Sequence, residues 1–198
     1  MTPRQYIEEK ETALRRARAD AWIHPLSKSR ERLRGVLDSM NSFKIDPREV
    51  PLIIKLVENP KYDIGLFAGS VSLFTHDCIH VLLGRGLAPK DEAFVIGYTM
   101  GSTKKMFRWR RNLFMFASKH LYPKGYRFGE EERYVFYSGI MAGGHCLTDL
   151  SKVDFKEFAD YKISAIRERL GVSPILLKHY YHTEKDLFPY SGESQRLV

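Results

Sequence analysis

The stretch LFTHDCIHVLLGRGLAPKDE, residues 73–92, decides the fold because it contains the clearest helix end and helix start in the chain. Apolar residues dominate 62–83, and Gly84 then stops the run as a glycine does at a helix C-terminus. Pro89 starts the next helix, whose first turn is acidic, where the helix dipole favours negative charge. Because the connection is short, we expect two neighbouring helices in an antiparallel hairpin.

Four potential metal ligands lie in this hairpin. With about 100° per residue in an α-helix, His76 and His80 lie about 40° apart, and Asp77 lies about 60° from His80. The glycine-rich turn brings Glu92, twelve residues after His80, back beside that face. Cys78 points away from this arc and is not counted as a ligand. The pattern predicts a metal site built from two imidazoles and two carboxylates.

This donor set restricts the metal. Two imidazoles with two carboxylates make a site of intermediate hardness. Zinc is the first choice, iron and manganese also suit it, and magnesium fits if the carboxylates dominate. If three of the four bind directly, an open position remains for water or substrate. The alternative is a hydrogen-bonded polar cluster in the core, but Asp77 would then be buried without a cation at a high cost in free energy.

The rest of the chain predicts an all-α fold, a single-domain multi-helix bundle over residues 1–198. Residues 1–45 are expected to form N-terminal helices that pack on the core, and 47–172 the metal-binding helical core. Residues 173–198 are a C-terminal extension that is ordered only if it docks. No alternation of period two and no Asn-Gly turn supports a sheet. Besides the hairpin, helices are expected at 3–22, 25–40, 47–58, 104–120, 130–150 and 154–170.

Composition excludes several classes of protein. The chain has 198 residues, of which 43% are hydrophobic, enough for one domain with a sizeable core. Cys78 and Cys146 are too few for a disulfide framework, which favours the cytosol or a surface that faces it. The N-terminus lacks the apolar stretch of a secretory signal, and no apolar run has the length that a bilayer span needs.

A basic segment follows the hairpin. Between Gly101 and Gly129 there are eight Lys or Arg residues and no Asp or Glu, with aromatic residues interleaved. Such a segment is suited to phosphate on a lipid head group, a ligand or nucleic acid; the alternative is a solvated helix face whose aromatics pack in the core. The residues expected to contact membrane or phosphate are Lys104, Lys105, Arg108, Arg110 and Arg111.

The metal-binding motif resembles that of a known family. His76-Asp77-Cys78-Ile79-His80, eleven further residues and then Glu92 reproduce the His-Asp-x2-His-x11-Glu motif of the coenzyme Q biosynthesis protein 4 family. The stretch 153–172 is similar to that family's closing helix. The likeness extends over about 47–172, and only the metal motif within it is specific.

The resemblance implies an all-helical protein that holds a divalent metal and acts in ubiquinone assembly. It implies binding of a prenylated quinone precursor or another isoprenoid lipid. The implied role is either oxidative decarboxylation of the head group, which replaces a ring carboxylate with hydroxyl, or organisation of the biosynthetic enzymes. A membrane surface and other quinone-biosynthesis proteins are the implied partners; a homodimer is left open and nucleic acid is not expected. The expected location is the cytoplasm, with peripheral association at the inner face of a membrane.

Apolar side chains near the motif are candidates for a channel that holds the prenyl tail. Ordinary core packing is the alternative and the more common use of such residues. At the head of the channel, a metal with an open position would bind the carboxylate and phenolic oxygens and polarise the ring. The candidate ligand-binding residues are Leu66, Phe67, Leu73, Phe94 and Ile96.

Two other functions fit parts of the sequence. His76-Asp77 looks like the central dyad of HD-class metal-dependent phosphohydrolases, which also need an upstream His, here His24, and a downstream Asp, here Asp149. That interpretation leaves the spacing to Glu92 unexplained. The other alternative is a non-enzymatic lipid- or nucleic-acid-binding module that uses the basic segment.

Overall fold

The computed structural model describes Ala17 and residues 20–43, 71–103 and 128–198. Within these residues the fold is all-α, as predicted, with seven α-helices, two short 3-10 helices and no strands. The α-helices are α1 (Leu33–Asn41), α2 (Leu73–Leu83), α3 (Pro89–Ser102), α4 (Glu130–Gly144), α5 (Ile163–Leu170), α6 (Pro174–Leu187) and α7 (Gly192–Gln195). The 3-10 helices are Leu150–Lys152 and Phe155–Phe158.

Helix α2 begins and ends where the sequence provides caps. Ser72 is extended, and its side chain accepts a hydrogen bond from a backbone N–H of the first turn (3.2 Å). The helix therefore begins at Leu73, later than the apolar run from residue 62 favours. At the other end Gly84 has a φ of 70°, and the N–H groups of Gly84 and Arg85 donate to carbonyls of the last turn (3.3 and 3.1 Å). This Schellman arrangement favours glycine and confirms the predicted helix end.

The last carbonyls of α2 are satisfied by side chains from the C-terminal half of the chain. Arg167 Nε donates to the Leu82 carbonyl (2.7 Å), and the Tyr181 hydroxyl donates to the Leu83 carbonyl (2.5 Å). Burial lowers the pKa of Arg167 to about 10 and raises that of Tyr181 to about 12. These bonds tie α5 and α6 to the end of α2, since a buried carbonyl without a donor would be destabilising.

Helices α3 and α4 are in backbone contact at four glycines. A Cβ added at Gly97 or Gly101 of α3 would come closer than 3.0 Å to a carbonyl oxygen of α4. Gly139 and Gly143 of α4 face carbonyl oxygens of α3 in the same way. The facing positions advance together along both helices, so the two helices run parallel. Small residues four apart on each helix permit this close approach.

Two predicted helices are shorter in the structure. The helix predicted at 130–150 ends at the Gly143-Gly144 pair, since glycine is a poor helix former. The helix predicted at 154–170 is interrupted: after a 3-10 turn the chain is extended at Lys162, where it forms an isolated bridge with Arg32. Helix α5 begins only after this bridge.

The N-terminal predictions are met in part. Helix α1 starts at Leu33 rather than at residue 25, because turns occupy the residues before it. Trp22 and Leu26 belong to the same buried cluster as α2 and α3, so this segment packs on the core as expected. The helices predicted at 47–58 and 104–120, and most of the one at 3–22, lie outside the described residues.

The C-terminal extension docks on the core. The Ser173 side chain accepts a hydrogen bond from the Leu176 N–H (3.3 Å), and Pro174 is the first residue of α6. Leu197, near the end of the chain, is fully buried. Among the described residues, no helix is both long enough and apolar enough to cross a membrane.

The glycine contact predicts a sharp difference between two neighbouring substitutions. We expect Gly143→Ala to lower the free energy of unfolding by about 1–3 kcal/mol, because the new methyl group collides with a carbonyl oxygen of α3. Gly144→Ala meets no atom within 4 Å and is expected to be neutral or stabilising by up to about 1 kcal/mol. Urea unfolding followed by circular dichroism compares the two, and equal effects would contradict the contact.

We expect His24 to give the fold a pH dependence. Its side chain is buried, and its Nε2–H donates to the Lys28 carbonyl (2.8 Å). Burial lowers the pKa of His24 below its ordinary 6.5, although the Lys28 bond and the Glu31 carboxylate act in the opposite direction. Below pH 6.5 the unfolded chain therefore binds a proton more readily than the folded chain.

Acidification should accordingly destabilise the protein through His24. We expect the free energy of unfolding to fall from about pH 7 to about pH 5, and His24→Gln to reduce this fall, because glutamine keeps a donor but does not titrate. Urea titrations at both pH values measure the difference. An identical pH dependence in the variant would exclude His24 as its source.

Candidate metal centre

Three of the predicted ligands converge between α2 and α3. His76 and His80 lie one turn apart on α2, and Glu92 lies in the first turn of α3. The His80 side chain is fully buried, whereas those of His76 and Glu92 are 15% and 32% exposed. Solvent therefore reaches the group from the Glu92 side and is excluded at His80.

The donor atoms of the three residues lie close to one another. Nε2 of His76 is 2.9 Å from Nε2 of His80 and 2.9 Å from Oε2 of Glu92. Nε2 of His80 is 3.3 Å from Oε1 of Glu92. The two rings meet edge to face, with 4.6 Å between centroids. Each residue thus presents one potential ligand atom to a common point.

These separations suit a cation. Metal–nitrogen bonds of about 2.0–2.1 Å place tetrahedral donors about 3.3 Å apart and adjacent octahedral donors about 2.9 Å apart. If both imidazole nitrogens are unprotonated, their lone pairs repel each other unless a proton or a cation lies between them. The Glu92 carboxylate brings a third lone pair to the same point. A divalent cation would satisfy all three lone pairs together. Among the described residues, no other group of three His, Cys, Asp or Glu side chains is arranged in this way.

The charge state of Glu92 is set by the two imidazoles. Burial raises its pKa, but the charges of His80 and His76 and their hydrogen bonds outweigh this effect. The pKa of Glu92 therefore lies well below its ordinary value. A carboxylate that stays ionised can act as a ligand without first losing a proton.

Asp77, the fourth predicted ligand, is not part of this group. It lies about 100° around α2 from His76. Its side chain is buried at the edge of a cavity of about 350 Å³ between α1 and α2. Phe74, Arg34, Asp38 and Lys156 line the same cavity, so charged side chains of both signs lie around the carboxylate there. Direct coordination by Asp77 stays a prediction.

The residues predicted to hold a lipid tail lie in different environments. Leu73 is 57% exposed in the first turn of α2. Phe94 is fully buried, with the Arg85 guanidinium 4.1 Å from its ring centroid, and Ile96 is partly buried against the core. Their contact with a ligand stays a prediction. Outside the described residues lie Leu66, Phe67, Lys104, Lys105, Arg108, Arg110 and Arg111.

The extra ligands that a phosphohydrolase would need are occupied elsewhere. His24 donates to the Lys28 carbonyl, and Asp149 accepts hydrogen bonds from the N–H and hydroxyl of Ser151 (3.2 and 2.6 Å). Neither belongs to the three-residue group. The structure therefore gives this alternative no support beyond the His76-Asp77 dyad.

Sequence reasoning missed the contacts that hold α3 in place. The two Gly-x3-Gly patterns, at 97–101 and 139–143, are visible in the sequence and indicate close helix packing. Arg85 forms a bidentate ion pair with Glu184 (3.2 and 2.5 Å), 99 residues further along the chain. No local pattern points to a pair so far apart.

Comparisons of the chain with protein-family models, with curated proteins and with solved structures find no match.

The geometry predicts a metal stoichiometry. We expect about one zinc ion per chain after loading and dialysis, and almost none in His80→Ala, because the variant lacks the buried nitrogen ligand. Inductively coupled plasma mass spectrometry measures both. His179→Ala, which removes an exposed histidine of α6, is the control and should retain the metal. Full zinc retention by His80→Ala would contradict the site.

Asp77→Asn distinguishes three ligands from four. Zinc affinity within about twofold of the wild type indicates that His76, His80 and Glu92 suffice, as their convergence suggests. A loss of about tenfold or more shows that Asp77 supports the metal directly or through a neighbouring ligand. Competition with a chromophoric chelator measures the affinity.

Proposed function

We propose that this chain is a metalloprotein of ubiquinone biosynthesis, which holds the head group of a polyprenylated hydroxybenzoate at a divalent metal, with zinc as the first choice. The observation that carries the proposal is the convergence of His76, His80 and Glu92. They are three of the four residues in the motif shared with the coenzyme Q biosynthesis protein 4 family. His76 and His80 are neighbours on any helix, so the informative part of this convergence is that Glu92, from a second helix, lies 2.9 and 3.3 Å from their Nε2 atoms.

The head group has chemistry that such a site accepts. It carries a carboxylate and phenolic oxygens, which are good ligands for divalent metals of intermediate hardness. A bound metal would supply Lewis-acid polarisation of these oxygens. Because Glu92 is the most exposed of the three side chains and His80 is closed off, the head group would approach from the Glu92 side.

The charge of the site favours an anion. Two neutral imidazoles and the ionised Glu92 would leave a divalent cation with a net charge of about +1, which attracts a carboxylate. Coordination by Asp77 as well would cancel that charge. The three-residue group therefore supports carboxylate binding better than the four-ligand version does.

Apolar surface near the group supports a role for the prenyl tail. Leu73, which is 57% exposed, lies at the start of α2, three residues before His76 and on the same face of the helix. In this proposal, the basic residues at 104–111 contact anionic lipid at the inner face of a membrane, where an insoluble precursor is found. Other quinone-biosynthesis proteins would receive or supply the precursor there.

Two roles fit this site, catalysis and presentation of the precursor to other enzymes. Oxidative decarboxylation balances if the ring carboxylate leaves as carbon dioxide and a hydroxyl from water takes its place. One proton is then released and two electrons pass to an acceptor such as dioxygen. Presentation needs only the binding step, so binding is the first property to test.

We expect the zinc-loaded chain to bind a farnesylated hydroxybenzoate, and removal of the metal or His80→Ala to weaken that binding by about tenfold or more. The same molecule without its carboxylate should bind more weakly to the loaded wild type. Isothermal titration calorimetry measures all four cases. Equal affinity for the two compounds, with and without metal, would contradict the proposed head-group site.

Turnover assays separate the remaining roles. Release of labelled carbon dioxide from the carboxylate under dioxygen indicates catalysis, whereas binding without release indicates presentation. A manganese-dependent phosphatase and nucleotidase screen is the counter-test. Hydrolysis abolished by Asp77→Ala would favour the phosphohydrolase instead.

A further inference from the structure

We propose that the end of the chain, residues 191–197, positions the metal ligand Glu92 and thereby sets the metal affinity of the site. This segment is called the C-terminal clasp below, and Glu193 and Arg196 are its positioning residues. The inference rests on the proposed metal centre. It assigns a role to the extension that follows the family-like part of the chain.

The first contact of the clasp is with the start of α3. The backbone N–H of Lys90 donates to Oε2 of Glu193 (3.1 Å), and Lys90 Nζ donates to the Ser191 hydroxyl (2.5 Å). An N–H in the first turn has no partner within its own helix, so a carboxylate from elsewhere stabilises it. Lys90 also pairs with Glu131 of α4 and is only 3% exposed.

The second contact is an ion pair in the same turn. The Arg196 guanidinium bonds to the Asp91 carboxylate through Nη2 and to the Asp20 carbonyl through Nη1. Asp91 is fully buried, and it also accepts a hydrogen bond from the Ala88 N–H (3.3 Å). Arg196 therefore joins the first turn of α3 to the segment that precedes α1.

A third contact reaches the connection between α2 and α3. The Ser194 hydroxyl donates to Oε1 of Glu184 (3.0 Å), and Glu184 pairs with Arg85 in that connection. Arg85 in turn lies 3.6 Å from the Asp91 carboxylate. The clasp therefore contacts the start of α3 directly and the preceding connection through Glu184.

These contacts bear on Glu92 because Lys90 and Asp91 immediately precede it. Glu92 is the one member of the three-residue group that comes from α3, while both imidazoles come from α2. The placement of this turn against α2 therefore decides whether the carboxylate reaches the imidazole nitrogens. Ligand geometry tolerates errors of only about 0.5 Å, so small movements of the turn weaken the site.

The test compares Arg196→Met with Arg196→Lys in the full chain. Methionine keeps an apolar stem and removes the charge, whereas lysine restores a cation beside Asp91. Zinc affinity is measured by chelator competition, and ligand geometry by the visible absorption of the cobalt(II)-loaded protein. Arg133→Met removes an exposed arginine that pairs with Glu130, and it is the matched control.

We expect Arg196→Met to weaken zinc binding by about tenfold to a hundredfold at unchanged stoichiometry and to alter the cobalt(II) spectrum. Arg196→Lys should recover part of the zinc affinity and part of the wild-type cobalt(II) spectrum. A merely structural role would lower the fraction of folded chain, and hence the stoichiometry, but would leave the affinity of that folded fraction unchanged. Arg133→Met should match the wild type in both measurements.

Affinity within twofold of the wild type and an unchanged cobalt(II) spectrum in Arg196→Met would overturn the clasp while leaving the metal centre intact. A wild-type chain that binds no metal would instead overturn the metal centre. If Arg196→Met does not fold, Glu193→Ala, which removes only the acceptor for the Lys90 N–H, is judged by the same thresholds.

Discussion

The backbone contact between α3 and α4 is the constraint on which the candidate metal site depends. At Gly97, Gly101, Gly139 and Gly143 each helix faces carbonyl oxygens of the other, so α3 can neither rotate nor slide without a collision. Glu92 extends from the first turn of that fixed helix. Helix α2 is held separately, through the Arg167 and Tyr181 side chains at its last carbonyls. The ligands therefore come from two elements that are each held by contacts outside the three-residue group.

The buried ion pair of Arg85 and Glu184 connects the α2–α3 turn to α6. The Arg85 guanidinium packs against the rings of both Phe94 and Tyr181, 4.1 and 4.3 Å from their centroids, and it pairs with Glu184. Burial alone would lower its pKa, but Glu184, Tyr181 and Asp91 raise it, so the guanidinium stays charged. Buried ion pairs of this kind add little net stability, because desolvation offsets the attraction. Their effect here is to select one arrangement of the α2–α3 connection.

Local sequence signals made part of the fold and part of the candidate metal site predictable. Gly84 ends a helix and Pro89 starts one for reasons contained in a few neighbouring residues, and the fixed period of the helix places His76 and His80 on one face. Helix α2 begins later than the apolar run favours and the break before α5 was mispredicted, since a cap at Ser72 and a bridge at Lys162 overrode the apolar pattern. Arg196 and its partner Asp91 are 105 residues apart, and such contacts depend on the complete fold.

The glycine contact has a consequence for tracing distant relatives of this chain. Inserting or deleting one residue between Glu92 and Gly97 would turn the carboxylate by about 100° relative to the packed face of α3. That interval, which lies entirely within α3, is therefore intolerant of any change in length. The search pattern that follows is His-Asp-x2-His-x11-Glu-x4-Gly-x3-Gly, with a second Gly-x3-Gly downstream. A sequence that keeps the three ligands but changes the spacing from Glu to the first glycine would need a different helix packing to bring the carboxylate to the imidazoles.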